Sequence, residues 1–304
     1  YDVDGVSSIA LLDSVLRAYG IETHCFLPTR LEEGYGLSLK GIENSLNSKE
    51  ATLLIAADCG TNSRAESLAL KERGIDLIVL DHHEPSSEGT AECVSLVNPK
   101  LGDDFHYLCT AGVVFKIAHA ILKERPLRGF DLKEYMDFVA LGTIADIVPL
   151  EGENRIYARR GLSQLDQTKH PGLVALKRVA GVNTPANSSD VGFKLGPRIN
   201  AAGRLDPAEA SLRLLLSETE TEALDLAQAL DVQNRERQDL EQKTREEAEE
   251  MIADLSPEDR KHGIVVGARG WHPGVGGIGA SRISKRDYCP TFIIAINDEG
   301  LGKG

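Results

Sequence analysis

The sequence has no basic excess, no paired cysteine framework and no apolar run approaching the roughly 20 residues that cross a bilayer. Lys and Arg number 34 against 47 Asp and Glu, a formal charge of −13 over 304 residues. That is the wrong sign for coating duplex DNA by bulk electrostatics, so a phosphate-bearing partner has to be met in a local basic or metal-filled cleft. The five cysteines (Cys25, Cys59, Cys93, Cys109 and Cys289) are odd in number and scattered, mostly in apolar segments. This argues against disulfides and a zinc framework and for buried thiols in a reducing cytoplasm. The first residues, YDVDGVSS, lack the basic-then-apolar layout of a signal peptide. What is present, 41% hydrophobic and 27% charged residues, can bury a core, and the chain reads as soluble, intracellular and two-domain, with no membrane partner. Both ends read as cut, since the chain opens inside a motif and stops at the loop-like GLGKG.

In the first part, β-like runs alternate with helical patterns: THCFL near Cys25, ATLLIAAD at 51–58 and DLIVLD at 76–81. That is the rhythm of a parallel sheet with helices on its faces. Residues from about 110 to 180 read as helical, with GTIADIVPL at 142–150 ending one helix at a Pro-marked turn. VNTPANSSD reads as a loop. From Asp206 to about Leu255 the pattern is charged and helical, and LDLAQALDVQNRERQDLEQKTREEAEEMIADL contains no Gly or Pro. The strand-like GIVVGA, the glycine-rich GVGGIGASRI and TFIIAI then open a second, smaller α/β domain. The expected fold is therefore α/β, a parallel-sheet domain over 1–205, a connecting helix over 206–255 and an incomplete second domain over 256–304.

Asp58 and Asp81 each follow an apolar run, and Asp2 and Asp4 precede the helical stretch from Val6 to Tyr19. Carboxyl ends of strands are where open α/β sheets place their ligands. An Asp-x-Asp-Gly stretch can aim two carboxylates into one cleft, or be a solvated turn or helix cap. Asp81-His82-His83 stacks a carboxylate and two imidazoles at one strand end. Oxygen and imidazole donors without thiolates suit Mn²⁺ or another first-row divalent ion rather than Ca²⁺ or structural zinc. Asp146 lies between apolar neighbours, where a carboxylate is paired, caps a helix or binds a metal.

In their order, YDVDGVSS, AADCGTNS, VLDHHE and GTIADIVPL resemble motifs one to four of the DHH phosphoesterase superfamily. LGPRINAAGRLDPAEASLRLLL, HPGVGGIGASRI, NPKLGDDFHYLCTAGVVFK and PTRLEEGYGLS are similar to its bacterial single-strand-specific exonuclease branch, and the resemblance spans essentially the whole chain. It implies a two-metal Mn²⁺ or Mg²⁺ site with Asp2, Asp4, Asp58, His82 and Asp146 as ligands, Asp58 being shared. It also implies that His83 faces the scissile phosphate and that Asp81 orients the imidazoles. Two divalent ions about 3.5–4 Å apart activate water and neutralise transition-state charge. The chain departs from the family in lacking an acidic residue before Tyr1 and a Ser-Gly-Arg-Ser stretch after the last glycines, which leaves one metal site short of a ligand. The implied activity is a 5′-to-3′ exonuclease on single-stranded DNA in repair and recombination, in the cytoplasm, with single-strand-binding protein and a helicase as partners. Rival readings are a phosphodiesterase for oligoribonucleotides or cyclic dinucleotides and a non-catalytic DNA-binding replication scaffold. Acids at all four motifs argue against the scaffold, which has no need of mutually repelling carboxylates.

Phosphate-binding candidates follow from guanidinium geometry and helix termini. Arg198, with Asn200 and Arg204, can meet backbone phosphates near the metals, or its guanidinium can pair with local acids. Gly276 and Gly277 can open a helix whose N–H groups cradle phosphate. His272, beside Trp271, can stack a base or pack on its own domain. Arg235 and Arg237 read as a solvated helix face. By the resemblance, Arg30 is the candidate for a terminal 5′-phosphate. Arg30→Ala in the full-length parent should then reduce the preference for 5′-phosphorylated over 5′-hydroxyl strands by about 1.5–3 kcal/mol, the range of a charge-assisted contact. Unchanged discrimination between the two strands in a kinetic competition removes Arg30 from the site.

Overall fold

The computed structural model describes the whole chain except residues 30–32, 35, 103–104, 206–208 and 257 and the side chains of residues 204 and 205. The elements of the first part are α1 (Val3–Ala18), α2 (Leu39–Ser48), β1 (Leu53–Ala57), α3 (Arg64–Glu72), β2 (Asp76–Leu80), β3 (Ser95–Val97), α4 (Thr110–Glu124), α5 (Met136–Ala145), α6 (Gly152–Asp166) and α7 (Pro171–Val179). After them come α8 (Ser188–Asp190), α9 (Gly196–Leu205), α10 (Glu209–Leu216), α11 (Glu220–Ala253), β4 (Ile264–Arg269), α12 (Gly276–Asp287), β5 (Thr291–Ile296) and β6 (Gly302–Lys303). The chain divides into two compact units, Tyr1–Asp231 and Val232–Gly304.

In the first unit the three strands are parallel in the order β1-β2-β3, with Ile55 opposite Ile78 and Leu80 opposite Val97. Successive side chains of a strand point to opposite faces, and both faces here are covered. Ile55, Ile78, Leu80 and Val97 join a core built on α1, α4 and α5. Ala56, Leu77 and Val79 pack instead with Ile42 of α2 and Leu70 of α3. α5 is buried along nearly its whole length, Met136 through Thr143, as expected of a helix apolar all round. It packs against α1, whose Val6, Ala10, Leu11 and Val15 are fully inaccessible. These two helices anchor the segments that carry Asp4 and Asp146.

Two expectations need correction. The β-like run THCFL forms no strand: residues 22–28 belong to no ladder, and among the described residues β1 is paired only with β2. Apolar alternation describes side chains, whereas a strand also needs a partner for its backbone groups. The charged stretch from Asp206 is not one connecting helix. α10 is separate, and α11 begins at Glu220 because Thr219 Oγ1 accepts the N–H of Glu222 at 3.3 Å, a cap within Ser217-Glu218-Thr219. Nor is α11 a mere connector. Ala223, Ala227 and Leu230 lie in the first core, and Ala248 and Ile252 in the second. The domain limits at 205 and 255 therefore move to a single division within α11.

In the second unit β4 and β5 are parallel and β6 pairs antiparallel with β5. Its core is Ile264, Val266, Ile283, Ile293 and Trp271 with the last turns of α11. Among the described residues no helix is long and apolar enough to cross a membrane. All five cysteines are free; Cys109 is buried and the others are partly covered.

Helix packing in the first unit depends on a close approach at Gly161 in α6. A methyl there would stand 2.2 Å from the carbonyl oxygen of Met136 and 2.4 Å from Ala140 Cβ. Gly→Ala inside a helix ordinarily stabilises by about 0.5–1 kcal/mol. Gly161→Ala should instead destabilise, by about 1–3 kcal/mol, the range for overpacked cores. Urea denaturation decides the sign; a gain in stability would contradict this packing.

Candidate metal centre

Each acid is delivered by the end of an element. Asp2 is the N-cap of α1, its Oδ1 accepting the Gly5 N–H at 3.1 Å. Asp4, in the first turn of the same helix, points at the N-terminus of α4. Its two oxygens accept the N–H groups of Thr110 and Ala111 at 2.7 and 2.9 Å. Behind it lies Gly142 of α5, where a methyl would come within 2.4 Å of Asp4 Oδ1. Asp58 follows β1 with a positive φ of 63°, a conformation that Asp tolerates better than most residues and that is often held at functional sites. Its N–H still bonds Leu80 O at 2.9 Å, so it stays tied to the sheet. Asp146 closes α5.

These carboxylates converge on one imidazole. His82 Nε2 stands 3.5 Å from Asp58 Oδ1, 3.5 Å from Asp146 Oδ2 and 3.9 Å from Asp4 Oδ2. Two ligand-grade groups result, Asp4 with His82 and Asp146, and Asp58 with His82 and His83, the donor atoms of each lying within 4.8 Å of one another. Asp2 falls in neither, although its carboxyl is close enough to Asp58 for the two charges to oppose each other. His83, expected to face the phosphate, lies within the second group, its side chain 57% exposed.

Asp81 orients one ring. Its Oδ1 is 2.7 Å from His83 Nδ1 and accepts the His82 N–H at 2.8 Å, while its Oδ2 accepts the Thr61 N–H at 3.0 Å. It meets the ring of His83 and only the backbone of His82, whereas the expectation had it orienting both imidazoles. Asn98 braces the turn, donating to Thr61 Oγ1 and to the His83 carbonyl, each at 2.9 Å. Burial opposes ionisation of Asp81, yet hydrogen bonds from His83 and Thr61 hold it below the ordinary carboxylate range. The Asp81 hydrogen bond lifts His83 to about 9 against its burial.

The remaining acids are pushed the other way. Burial first and the Asp58 charge second raise Asp2 and Asp4, Asp4 strongly. Burial, aided by Asp58 and Asp2 and offset by His82, lifts Asp146 to about 6. Burial beside Asp81 and Asp58 also takes the Cys59 thiol to about 12, which leaves no thiolate at the site. Among the described residues no Lys or Arg side chain is ion-paired with these acids. Crowded, part-buried carboxylates beside two imidazoles and without a Lys or Arg partner among the described residues fit a pair of hard divalent ions. The centre is reachable, since Asp2, Asp58 and His83 lie on the wall of a cleft of about 1030 Å³.

The other expected residues are placed less directly. Arg198, on α9, gives Nε and Nη2 to Asp231 Oδ1 at 2.9 and 2.8 Å and Nη1 to the Lys194 carbonyl at 2.8 Å, which is the pairing with local acids. Asn200 Oδ1 is buried and has no hydrogen-bond partner among the described residues. Arg30 and the side chain of Arg204 lie outside the described residues. In the second unit Gly276 and Gly277 do open α12, with space open above Gly277. His272 Nδ1 accepts the Gly274 N–H at 3.0 Å, and Trp271 is buried with its indole N–H on Glu247 at 2.7 Å, packed on its own domain. Arg237 is only 8% exposed and bonds Asn234, so the solvated-face reading fails for it. Thr110, Gly142, Thr61 and Asn98 were not anticipated. Gly142 had a signal, a glycine inside an apolar helical run, which often marks a close approach.

The pattern of the DHH family, N-terminal domain, matches residues 1–143. The chain belongs to the DHH family. Among its relatives is the single-stranded-DNA-specific exonuclease RecJ of Bacillus subtilis, 38% identical over 309 residues, covering 100% of this chain and 38% of that protein. RecJ of Escherichia coli is 36% identical, with 100% of this chain and 55% of that protein covered. This chain thus spans between about two fifths and just over half of such relatives. A crystal structure of exonuclease RecJ bound to manganese superimposes with a TM-score of 0.86 at 37% identity, covering 97% of this chain and 74% of that one. RecJ of Thermus thermophilus in complex with Mn²⁺ gives 0.83 at 34% identity, covering 97% and 42%.

The raised acids set a pH dependence for the metal-free protein. The native state binds the Asp146 proton more tightly than the unfolded chain does, so this contribution to stability is present below the ordinary carboxylate range and lost as pH rises through about 6. Asp2 and Asp4 act in the same direction. In EDTA the melting temperature should therefore be higher at pH 5.5 than at pH 8, and Mn²⁺ at pH 8 should recover the difference. A melting temperature that rises with pH in EDTA would contradict the crowding.

Proposed function

We propose that the chain carries the catalytic centre of a metal-dependent exonuclease that degrades single-stranded DNA from the 5′ end to mononucleotides, in repair and recombination. The observation that carries this is the convergence of Asp4, Asp58 and Asp146 on His82, with no Lys or Arg ion-paired to them among the described residues. The names of the RecJ relatives and the Mn²⁺ in their structures support the same substrate and ion.

The holding residues are Asp2, Asp4, Asp58, His82 and Asp146, with Asp58 as the carboxylate shared by the two ions and His83 beside it; the single lone pair of His82 Nε2 serves one ion only. Mn²⁺ or Mg²⁺, when bound, supplies the positive charge that activates water and offsets charge on the phosphoryl group. The chain's own residues do the positioning. Asp58 presents a carboxylate from a strand end that cannot drift, because its backbone is pinned to β2. Asp81 occupies His83 Nδ1, which leaves Nε2 as the ring atom for a ligand or a phosphate oxygen. Arg198 would meet a backbone phosphate only through the guanidinium N–H groups not given to Asp231 and Lys194, with Asn200, Arg204 and Arg30 as further contacts. Gly276, Gly277 and His272 are the corresponding contacts of the second unit. Single-strand-binding protein and a helicase are the partners proposed for this activity, and the cytoplasm its place.

With Mn²⁺, the chain should shorten a single strand from its 5′ end and release mononucleotides, and activity should stop in EDTA. Parallel 5′- and 3′-labelled strands read the polarity. Full activity in chelator would overturn the metal mechanism, and shortening from the 3′ end would overturn the polarity. Asp58→Ala should weaken binding of both ions in a calorimetric titration, whereas Asp2→Ala should weaken mainly one.

A further inference from the structure

Asp4 and Asp58 are held in different ways. Asp4 is clamped on both sides, by two N–H groups of the α4 N-terminus and by the α5 backbone at Gly142. Asp58 extends from a strand end, and the terminal torsion of an aspartate is broad and two-fold, so backbone pinning alone leaves its carboxylate plane free to turn. A carboxylate that would serve two cations is a better ligand with that plane fixed.

Thr110 supplies a fixing contact. Its Oγ1 donates to Asp58 Oδ1 at 2.9 Å while its N–H donates to Asp4 Oδ2 at 2.7 Å. The residue is 0% exposed and opens the 15-residue helix α4, so its hydroxyl is carried by a rigid element. The bonded Oδ1 is the oxygen 3.5 Å from His82 Nε2. The other oxygen faces the start of α1, where a methyl on Gly5 would stand 3.2 Å from Asp58 Oδ2. An oxygen that accepts one hydroxyl proton keeps a second lone pair for a cation. The hydroxyl therefore orients Oδ1 without removing it as a ligand, and sends Oδ2 toward the Asp2 side.

We infer that Thr110 is a positioning residue whose hydroxyl sets the carboxylate plane of Asp58 and, through the shared first turn of α4, its register with Asp4, so that the carboxylate would be presented to both cations. This rests on the two-cation reading above and adds a residue to it.

The test is a calorimetric Mn²⁺ titration of the chain as wild type, Thr110→Val and Thr110→Ser, with melting temperatures in EDTA and the electron paramagnetic resonance spectrum of the loaded protein alongside. Valine keeps the shape and removes the donor; serine keeps the donor and removes the methyl. Loss of an outer-sphere partner typically costs about 10–100-fold in metal affinity. Thr110→Val should weaken Mn²⁺ binding about tenfold or more and diminish the spin-coupled signal of a bridged pair, while Thr110→Ser stays within about threefold of wild type. A purely structural role would lower the melting temperature in EDTA and leave affinity and spectrum unchanged. Equal affinities for valine and wild type overturn the inference, as does serine losing as much as valine. If the valine variant does not fold, Thr110→Ala against Thr110→Ser makes the same comparison, and equal affinities there overturn it. A wild-type chain that binds no Mn²⁺ defeats the two-cation reading itself, an outcome distinct from either result.

Discussion

Several carboxylates are brought within reach of one imidazole in a place where water cannot fully screen them, and the surrounding fold answers to that repulsion. Part-buried acids held together favour the protonated form, as the upward shifts of Asp2, Asp4 and Asp146 record. The fold offsets this with oriented N–H groups. Gly5 donates to Asp2, and Thr110 and Ala111 donate to Asp4. The positive ends of α1 and α4 thus face the acids, where helix dipoles favour negative charge. Rigidity comes from elsewhere, from the fully buried stretches of α1 and α5 that carry Asp4 and end at Asp146.

The parallel sheet explains how acids far apart in sequence meet. β1 and β2 run the same way in register, so the residues that follow them, Asp58 and Asp81, emerge at the same edge. This is the edge where open α/β sheets bind their ligands. The two then diverge in role. Asp58 faces the crowded side and stands 3.5 Å from His82 Nε2. Asp81 turns back into the protein, where Thr61 and the two histidine N–H groups saturate it, and it acts through His83.

The second unit shows how charge patterns mislead when read without packing. α11 is rich in acids and arginines, yet Asn234, Arg237, Glu241 and Thr244 are all buried, and Glu241 pairs with Arg282 of α12 at 3.2 Å. A helix can be polar all round and still be packed when its polar groups find partners. Trp271 is a parallel case: its indole N–H is taken by Glu247, and the ring fills the small core instead of standing free for a base.

Resemblance to the DHH family singled out Asp2, Asp4, Asp58, His82 and Asp146 as candidate ligands, while the sequence by itself determined the parallel α/β class and the glycine-rich start of α12. These depend on local periodicity and on residue type, and periodicity survives in a string of letters. It also carried an unread signal at Thr219, whose cap splits the charged stretch into α10 and α11. The extended run near Cys25 and the limits of the two units could not be read that way, because pairing and core membership are properties of distant neighbours. The same holds within the site. Only tertiary structure separates Asp58 from Asp81, pairs Arg198 with Asp231 and brings Thr110, 52 residues from Asp58, onto its carboxylate. A hydrogen bond is decided by where two backbones cross, and the spacing of residues along one chain does not contain that crossing.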